Sequence, residues 1–157
     1  MQEEVQNLIC AGLAERFGFN DPALNPDLAD IVSSYSGATF LVATSQGCIV
    51  GTGALVEEDA TTGRIVRMSV DSAHRGNGIG SAILDRLIQA ATASKYSRLV
   101  LETTADWEDA IGFYRSHGFQ RNYIDRVNNE AHFELQVGAT PEAANAAPIS
   151  SARCRVD

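Results

Sequence analysis

A glycine-rich segment near the middle of the chain, residues 75–81 (RGNGIGS), has the composition of an anion-binding loop. Three glycines in five positions allow a tight backbone turn with exposed N–H groups. A predicted helix follows the loop directly, so its positive N-terminal end points at the same place. The segment therefore predicts a phosphate-binding site built mainly from backbone.

Two common phosphate-binding patterns do not fit this loop. A dinucleotide pattern GxGxxG that starts at Gly76 needs glycine at position 81, which is Ser81. A nucleotide-hydrolase loop GxxxxGK[ST] needs that glycine followed by lysine, but Ala82 stands there. An ordinary strand-to-helix turn that uses glycine for its geometry remains an alternative at this point.

A second segment, residues 110–119 (AIGFYRSHGF), places Tyr114 on a predicted helix that ends near Gly118. A phenol has a pKa near 10, which suits the protonation of a leaving thiolate of comparable basicity. The spacing alone is also typical of a tyrosine that packs in a core. Tyr114 is therefore a candidate general acid with a packing role as the alternative.

The two segments together resemble the GNAT superfamily of N-acetyltransferases. Residues 75–80 match its R/QxxGxG/A loop and residues 110–119 match its A-xx-[LF]-Y-xxx-G-F signature, in the family's order. The resemblance covers residues 40–137. It implies a mixed α/β fold whose mostly antiparallel sheet is splayed between the family's fourth and fifth strands, with helices on both faces.

The resemblance also implies how acetyl-CoA is bound. In the family, the loop amides hold the pyrophosphate, and the fourth strand, here residues 67–71, binds the pantetheine arm like an added strand. A backbone N–H of that strand polarises the thioester carbonyl, and Tyr114 takes the position of the general acid for the sulfur. The expected acetyl-CoA-binding residues are Met68, Ser69, Val70, Arg75, Gly76, Asn77, Gly78, Ile79, Gly80 and Ser81.

The general base is where the chain departs from the family. Relatives often carry a glutamate where Ile65 stands and a coenzyme-binding asparagine where Trp107 stands, so we expect Trp107 to pack instead. Glu102, in the strand beside the splay, is the first candidate base, with a partly solvated strand-end carboxylate as the alternative. The other candidates are Glu57, Glu58, Asp106 and a chain of water molecules.

Arg67 indicates the kind of acceptor. It alternates with Ser69 along the predicted strand 64–70, where a guanidinium could pair with a carboxylate of the substrate. An internal salt bridge with one of the many acidic residues is the alternative. We therefore expect acetyl transfer to a small, amino-acid-like primary amine by direct attack in a ternary complex. Protein or peptide acetylation, or a catalytically silent acyl-CoA-binding module, are the alternatives.

Composition limits the other classes of function. The chain has 157 residues, with 12 basic against 20 acidic residues and a net charge of −8, which argues against nucleic acid as a partner. No run of about 18 apolar residues and no basic signal-peptide start are found, so we expect a cytoplasmic protein with no membrane partner. His117 and His132 are not at metal-ligand spacing with cysteine or acidic residues, and we expect no metal site.

Hydrophobic periodicity outlines the elements that position these residues. Helices are predicted at residues 3–17, 28–35, 79–93 and 107–117, the last with Asp106 as its N-cap. Strands are predicted at residues 39–44, 48–56, 64–70, 98–103, 119–125 and 132–137.

The two ends of the chain carry expectations of their own. No strand precedes the first helix, whereas relatives usually have one, so we expect either a truncated chain or a short sheet edge that a homodimer could cover. Residues 138–157 are small and polar with two prolines. We expect them to be a flexible tail after a single domain formed by residues 1–137.

Overall fold

The computed structural model describes residues 1–138, so the predicted tail, except for Gly138, lies outside the described residues. The helices are α1 (Gln2–Phe17), α2 (Ile31–Ser34), α3 (Ile79–Ala93) and α4 (Glu108–Ser116). The strands are β1 (Thr39–Ser45), β2 (Cys48–Asp59), β3 (Thr62–Val70), β4 (Arg98–Thr104), β5 (Gln120–Asp125) and β6 (Glu130–Gln136). Each predicted element is present, with ends that differ by a few residues. None of the helices in this part of the chain combines the length and apolar character that crossing a membrane requires.

The strands form one six-stranded sheet in the order β1-β2-β3-β4-β6-β5. Neighbouring strands are antiparallel except for β3 and β4, which run parallel. These two pair only where residues 62–64 lie beside residues 98–100, and then they separate. The predicted splay is therefore confirmed. The family's fourth and fifth strands are β3 and β4 here, because no strand precedes α1 within residues 1–138.

Helices cover both faces of the sheet, as predicted. A larger core contains the buried face of α3 together with residues of α4 and β6, including Ile83, Leu84, Leu87, Tyr114 and Phe133. A smaller core under α1 and α2 contains Val5, Ile9, Leu28 and Ile31. Each fully buried leucine or isoleucine stabilises the fold by about 1.5–3 kcal/mol. The two cores hold α1 and α3 on opposite faces of the sheet, next to the gap between β3 and β4.

Strand β3 departs from the regular alternation that the sequence predicts. Arg67 has a φ of 57°, and the register between β2 and β3 shifts between Thr52 and Ala54, opposite this point. Thr52 Oγ1 donates a hydrogen bond to the Arg67 carbonyl at 2.8 Å. Such a bulge inserts an extra residue and re-aims the side chains around it. The sequence carries no signal for it, since no glycine stands at the position with positive φ.

The start of α4 also corrects a prediction. Asp106 does not cap the helix: Trp107 holds the N-cap position without a side-chain capping bond. Asp106 instead accepts a hydrogen bond from Asn129 Nδ2 at 2.8 Å, which ties it to the turn between β5 and β6. At the other end, Gly118 has the expected left-handed conformation, with a φ of 89°.

Candidate active site

The separation of β3 and β4 opens a cleft of about 640 Å³. Its walls come from β3 and the loop after it, from β4, from α1 and from α4. This volume lies within the range of small-molecule sites. The exposed backbone edges of the two separated strands are thus the centre of the candidate site.

The glycine-rich loop forms one end of the cleft. Gly76 and Gly78 have φ values of 77° and 80°, which glycine adopts without steric cost. Gly78 is the N-cap of α3 and makes no side-chain capping bond, so N–H groups of the first turn remain available for a ligand. A Cβ at either glycine would meet no atom within 4 Å. The loop therefore presents backbone donors to open space, as an anion site requires.

Nearly all of the predicted site residues line this one cleft. They are Arg67, Met68, Ser69, Val70, Arg75, Gly76, Gly78, Ile79, Gly80, Ser81, Glu102 and Tyr114. Asn77 does not line it; its Nδ2 donates to the His74 carbonyl at 3.3 Å, which holds the loop together. The lining residues that have no signal in the sequence motifs include Gly12, Leu13, Arg16, Phe17, Asp109 and Glu130.

Tyr114 reaches the cleft from a buried position. Only 8% of the residue is exposed, and its ring packs against Phe113, Phe119 and Phe133. This burial raises the pKa of Tyr114 to about 12. The phenol is therefore neutral at physiological pH.

Glu102 lies in β4 with its side chain partly buried. It forms an ion pair with Arg64, which also binds Glu58 through Nε at 2.6 Å. Glu102 Oε1 is 3.8 Å from Nδ1 of His132 on the neighbouring strand β6. Glu102 lines the cleft, and it also lines a smaller cavity of about 190 Å³ together with Arg64 and His132, the partners of its carboxylate.

Arg67 makes an internal salt bridge, the alternative that the sequence left open. Its Nε donates to Asp27 Oδ2 at 2.9 Å and to the Tyr35 hydroxyl at 3.2 Å, and its Nη1 donates to Asn25 Oδ1 at 3.0 Å. Burial opposes the charge on Asp27, but the hydrogen bonds from Arg67 and Tyr35 hold the pKa of Asp27 below its usual value. Arg67 Nη2 also donates to Asp27 Oδ1. Arginine has five N–H donors, so these contacts leave two of them available.

The last turn of α1 connects the two walls of the cleft. Glu15 accepts two hydrogen bonds from Arg75 of the loop, at 2.6 and 2.7 Å. Arg16 donates two to Asp109 of α4, at 2.7 and 2.6 Å, and its guanidinium lies 4.7 Å from the centre of the Trp107 ring. The hydrogen bond from Arg75 lowers the pKa of Glu15. Trp107 packs against Phe17 of α1, with the ring centres 5.0 Å apart, and it also lines the cleft.

Sequence comparison places these residues among acetyltransferases. Residues 4–119 match the sequence model of the family described as Acetyltransferase (GNAT) family. The chain is 45% identical over 105 residues to an N-acetylaspartate synthetase of Danio rerio, covering 64% of this chain and 37% of that protein. It is 43% identical over 105 residues to a probable N-acetyltransferase family 8 member 5 of Mus musculus, covering 62% and 46%. The chain thus spans less than half the length of these relatives.

Solved structures share the fold. A GNAT-family acetyltransferase from Staphylococcus aureus Mu50 superposes with a TM-score of 0.76 at 26% identity, covering 87% of this chain and 92% of that one. Rv2747 from Mycobacterium tuberculosis, solved in complex with CoA and NLQ, superposes with a TM-score of 0.56 at 26% identity, covering 63% and 76%.

Proposed function

Because the chain belongs to the acetyltransferase (GNAT) family, we propose that it transfers the acetyl group of acetyl-CoA to the primary amine of a small molecule. One observation carries the proposal: the phosphate-type loop, the separated edge of β3 and Tyr114 all line the same cleft. The loop corresponds to the pyrophosphate of a thioester coenzyme, the strand edge to its pantetheine arm, and the phenol to its sulfur.

The residues of the cleft fit acetyl-CoA as a substrate. Residues 76–81 offer backbone N–H groups and the start of α3 to the pyrophosphate, and Arg75 adds a guanidinium. The free edge of β3 offers hydrogen bonds to the pantetheine amides. One backbone N–H of β3, within residues 68–70, polarises the thioester carbonyl.

The chemical step is direct attack in a ternary complex. The lone pair of the acceptor nitrogen forms the new C–N bond as the C–S bond breaks. Glu102 accepts the proton that the amine loses, and Tyr114 donates its proton to the departing sulfur. The products are an N-acetyl amine and the CoA thiol, and the phenolate of Tyr114 recovers its proton from solvent.

The acceptor is an amino-acid-like amine in this proposal. The cleft contains charges of both signs, with Arg67 on β3 and the carboxylates of Glu102 and Glu130 on β4 and β6. A zwitterion presents a carboxylate and an amine that match such a pair of charges. Arg67 is thus the proposed substrate-binding residue, through the donors that its bond to Asp27 leaves available.

Arg67→Gln is expected to raise KM for amines that carry a carboxylate by about tenfold to a hundredfold. This factor corresponds to the free energy of one lost charge-assisted hydrogen bond. KM for neutral amines should stay within about twofold, and steady-state kinetics with paired acidic and neutral amines measures the ratio. Asp27→Asn is the matched control, because it breaks the same salt bridge and leaves the guanidinium in place. Equal losses for every amine would show that Arg67 serves only the fold.

Glu15→Gln is expected to tighten acetyl-CoA binding about two- to fivefold, since it releases Arg75 from a partly exposed ion pair of modest strength. Isothermal titration calorimetry with acetyl-CoA measures the change in Kd. Glu3→Gln, an equal change of charge at an exposed site at the start of α1, is the control. If Glu15→Gln and Glu3→Gln have the same Kd for acetyl-CoA, Arg75 does not leave Glu15 to bind the coenzyme.

The function itself is tested by a thiol-release assay with acetyl-CoA and a panel of amines. The panel contains acidic, neutral and basic amino acids, simple alkylamines and a basic peptide. The proposal expects amine-dependent release with small amino-acid-like acceptors. Release with the peptide alone would identify a peptide acetyltransferase, and binding of acetyl-CoA without release for any amine would identify an acyl-CoA-binding module.

A further inference from the structure

His132 occupies a central position next to the cleft that the proposed reaction leaves unused. It lies on β6 directly opposite Glu102 of β4 in the register of the sheet, and its Nδ1 is 3.8 Å from Glu102 Oε1. Its other ring nitrogen, Nε2, is 3.4 Å from Glu130 Oε2. One imidazole thus lies between the carboxylates of two residues that line the cleft, and the ring itself lines a smaller cavity that includes Glu102.

The ring is held in this position. It stacks on Tyr123 of β5 with the ring centres 4.2 Å apart and the planes 10° from parallel, and 19% of the side chain is exposed. Nε2 is buried and has no hydrogen-bond partner among residues 1–138. An unpartnered buried nitrogen costs about 1–3 kcal/mol. Buried polar groups without a partner are rare in native proteins, and a catalytic role is one reason for them.

Charged groups approach the ring from each neighbouring strand. Arg64 of β3 reaches it through Glu102, Glu130 lies on the same strand, and β5 contributes Asp125 besides Tyr123. Polar atoms of Asp125, Glu130 and His132 all lie within 4.8 Å of one another. The ring therefore connects the inner carboxylate of Glu102 to an outer group of carboxylates.

We propose that His132 relays to solvent the proton that Glu102 removes from the acceptor amine; this inference rests on the proposed function. A neutral imidazole has one acceptor and one donor nitrogen, so it accepts a proton at Nδ1 and releases another from Nε2. The proton moves from the amine to the Glu102 carboxylate, and one water molecule that bridges the 3.8 Å between Oε1 and Nδ1 carries it to the ring. The proton on Nε2 passes to Glu130 Oε2, 3.4 Å away, once a rotation of the Glu130 side chain aligns the two atoms for a hydrogen bond. This carboxylate is 45% exposed and exchanges the proton with water.

Each turnover leaves Glu102 ionised and the ring neutral again, with its single proton on the opposite nitrogen until proton exchange with solvent restores the first form. His132 touches neither substrate in this scheme and acts through Glu102, so it is a relay residue. The sequence offered no reason to connect these residues, because pairing between β4 and β6 joins positions far apart in the chain.

His132→Gln keeps a polar side chain of similar length but cannot pass a proton through. We expect kcat to fall about tenfold or more, with KM for both substrates unchanged. Imidazole added to the buffer should raise kcat of the variant in proportion to its concentration and leave the wild-type rate unchanged. A residue with a merely structural role would not show this dependence on buffer.

His117→Gln, an equal change at the end of α4, is the control and should keep the wild-type rate and its independence of imidazole. Glu130→Gln is the second variant if His132→Gln does not fold, and its kcat should fall in the same way. If the wild type turns over and both His132→Gln and Glu130→Gln keep the normal kcat, the relay is overturned and the proposed function stands. A fall in the kcat of His132→Gln that imidazole does not relieve would also overturn the relay alone. Absence of turnover in the wild type with every amine would overturn the proposed function and the relay with it.

Discussion

Tyr114→Phe is expected to lower kcat for acetyl transfer by about 100- to 10,000-fold, the range of a positioned general acid. The variant loses only the hydroxyl, and its ring still packs against Phe119 and Phe133. Because the proposed role of the hydroxyl is at the leaving sulfur and not at the pyrophosphate, the Kd for acetyl-CoA should stay within about twofold. Thiol release and calorimetry on the same preparation measure the two quantities.

Tyr96→Phe is the matched control for this prediction. Tyr96 is a partly buried tyrosine packed against the same core, and it does not line the cleft. Its loss of a hydroxyl should leave kcat unchanged. A Tyr114→Phe protein with the wild-type rate would remove the general-acid assignment.

Gly78→Asp is expected to weaken acetyl-CoA binding about a hundredfold or more. Gly78 has a φ of 80° and open space where a side chain would project, and aspartate is among the residues that tolerate this conformation best. The new carboxylate would lie at the proposed pyrophosphate site. Two unit charges about 5 Å apart at an effective dielectric constant of about 20 repel by roughly 3 kcal/mol, or about two orders of magnitude in Kd.

Two controls separate charge from backbone strain in this prediction. Gly78→Asn has nearly the same shape without the charge, so its Kd should rise far less. Gly37→Asp puts the same residue at a φ of 83° in open space away from the cleft, and its Kd should stay at the wild-type value. Equal Kd values for Gly78→Asp and Gly78→Asn would argue against an anion site at this loop.

Local patterns made the centre of the site predictable. The glycines at positions 76 and 78 indicate a turn with positive φ before a helix, and the structure has that turn. Tyr114 was located by the helix signature around it. The splay between β3 and β4 followed from the resemblance, since each strand alone looks like an ordinary strand in sequence.

Contacts between distant segments were not predictable. The Arg67 bulge depends on the register between β2 and β3, and its partner Asp27 lies 40 positions away. The contacts of Glu15 with Arg75 and of Arg16 with Asp109 span 60 and 93 positions. Nothing local in the α1 sequence distinguishes these two residues from other charged residues on its exposed face.

The most direct test of the central claim is product analysis by mass spectrometry after incubation of the wild-type protein with acetyl-CoA and an amino-acid-like amine. Direct attack in a ternary complex predicts N-acetyl amine and CoA in equal amounts, and no acetylated protein when the amine is left out. Tight binding of acetyl-CoA with no N-acetylated product from any amine would contradict the claim.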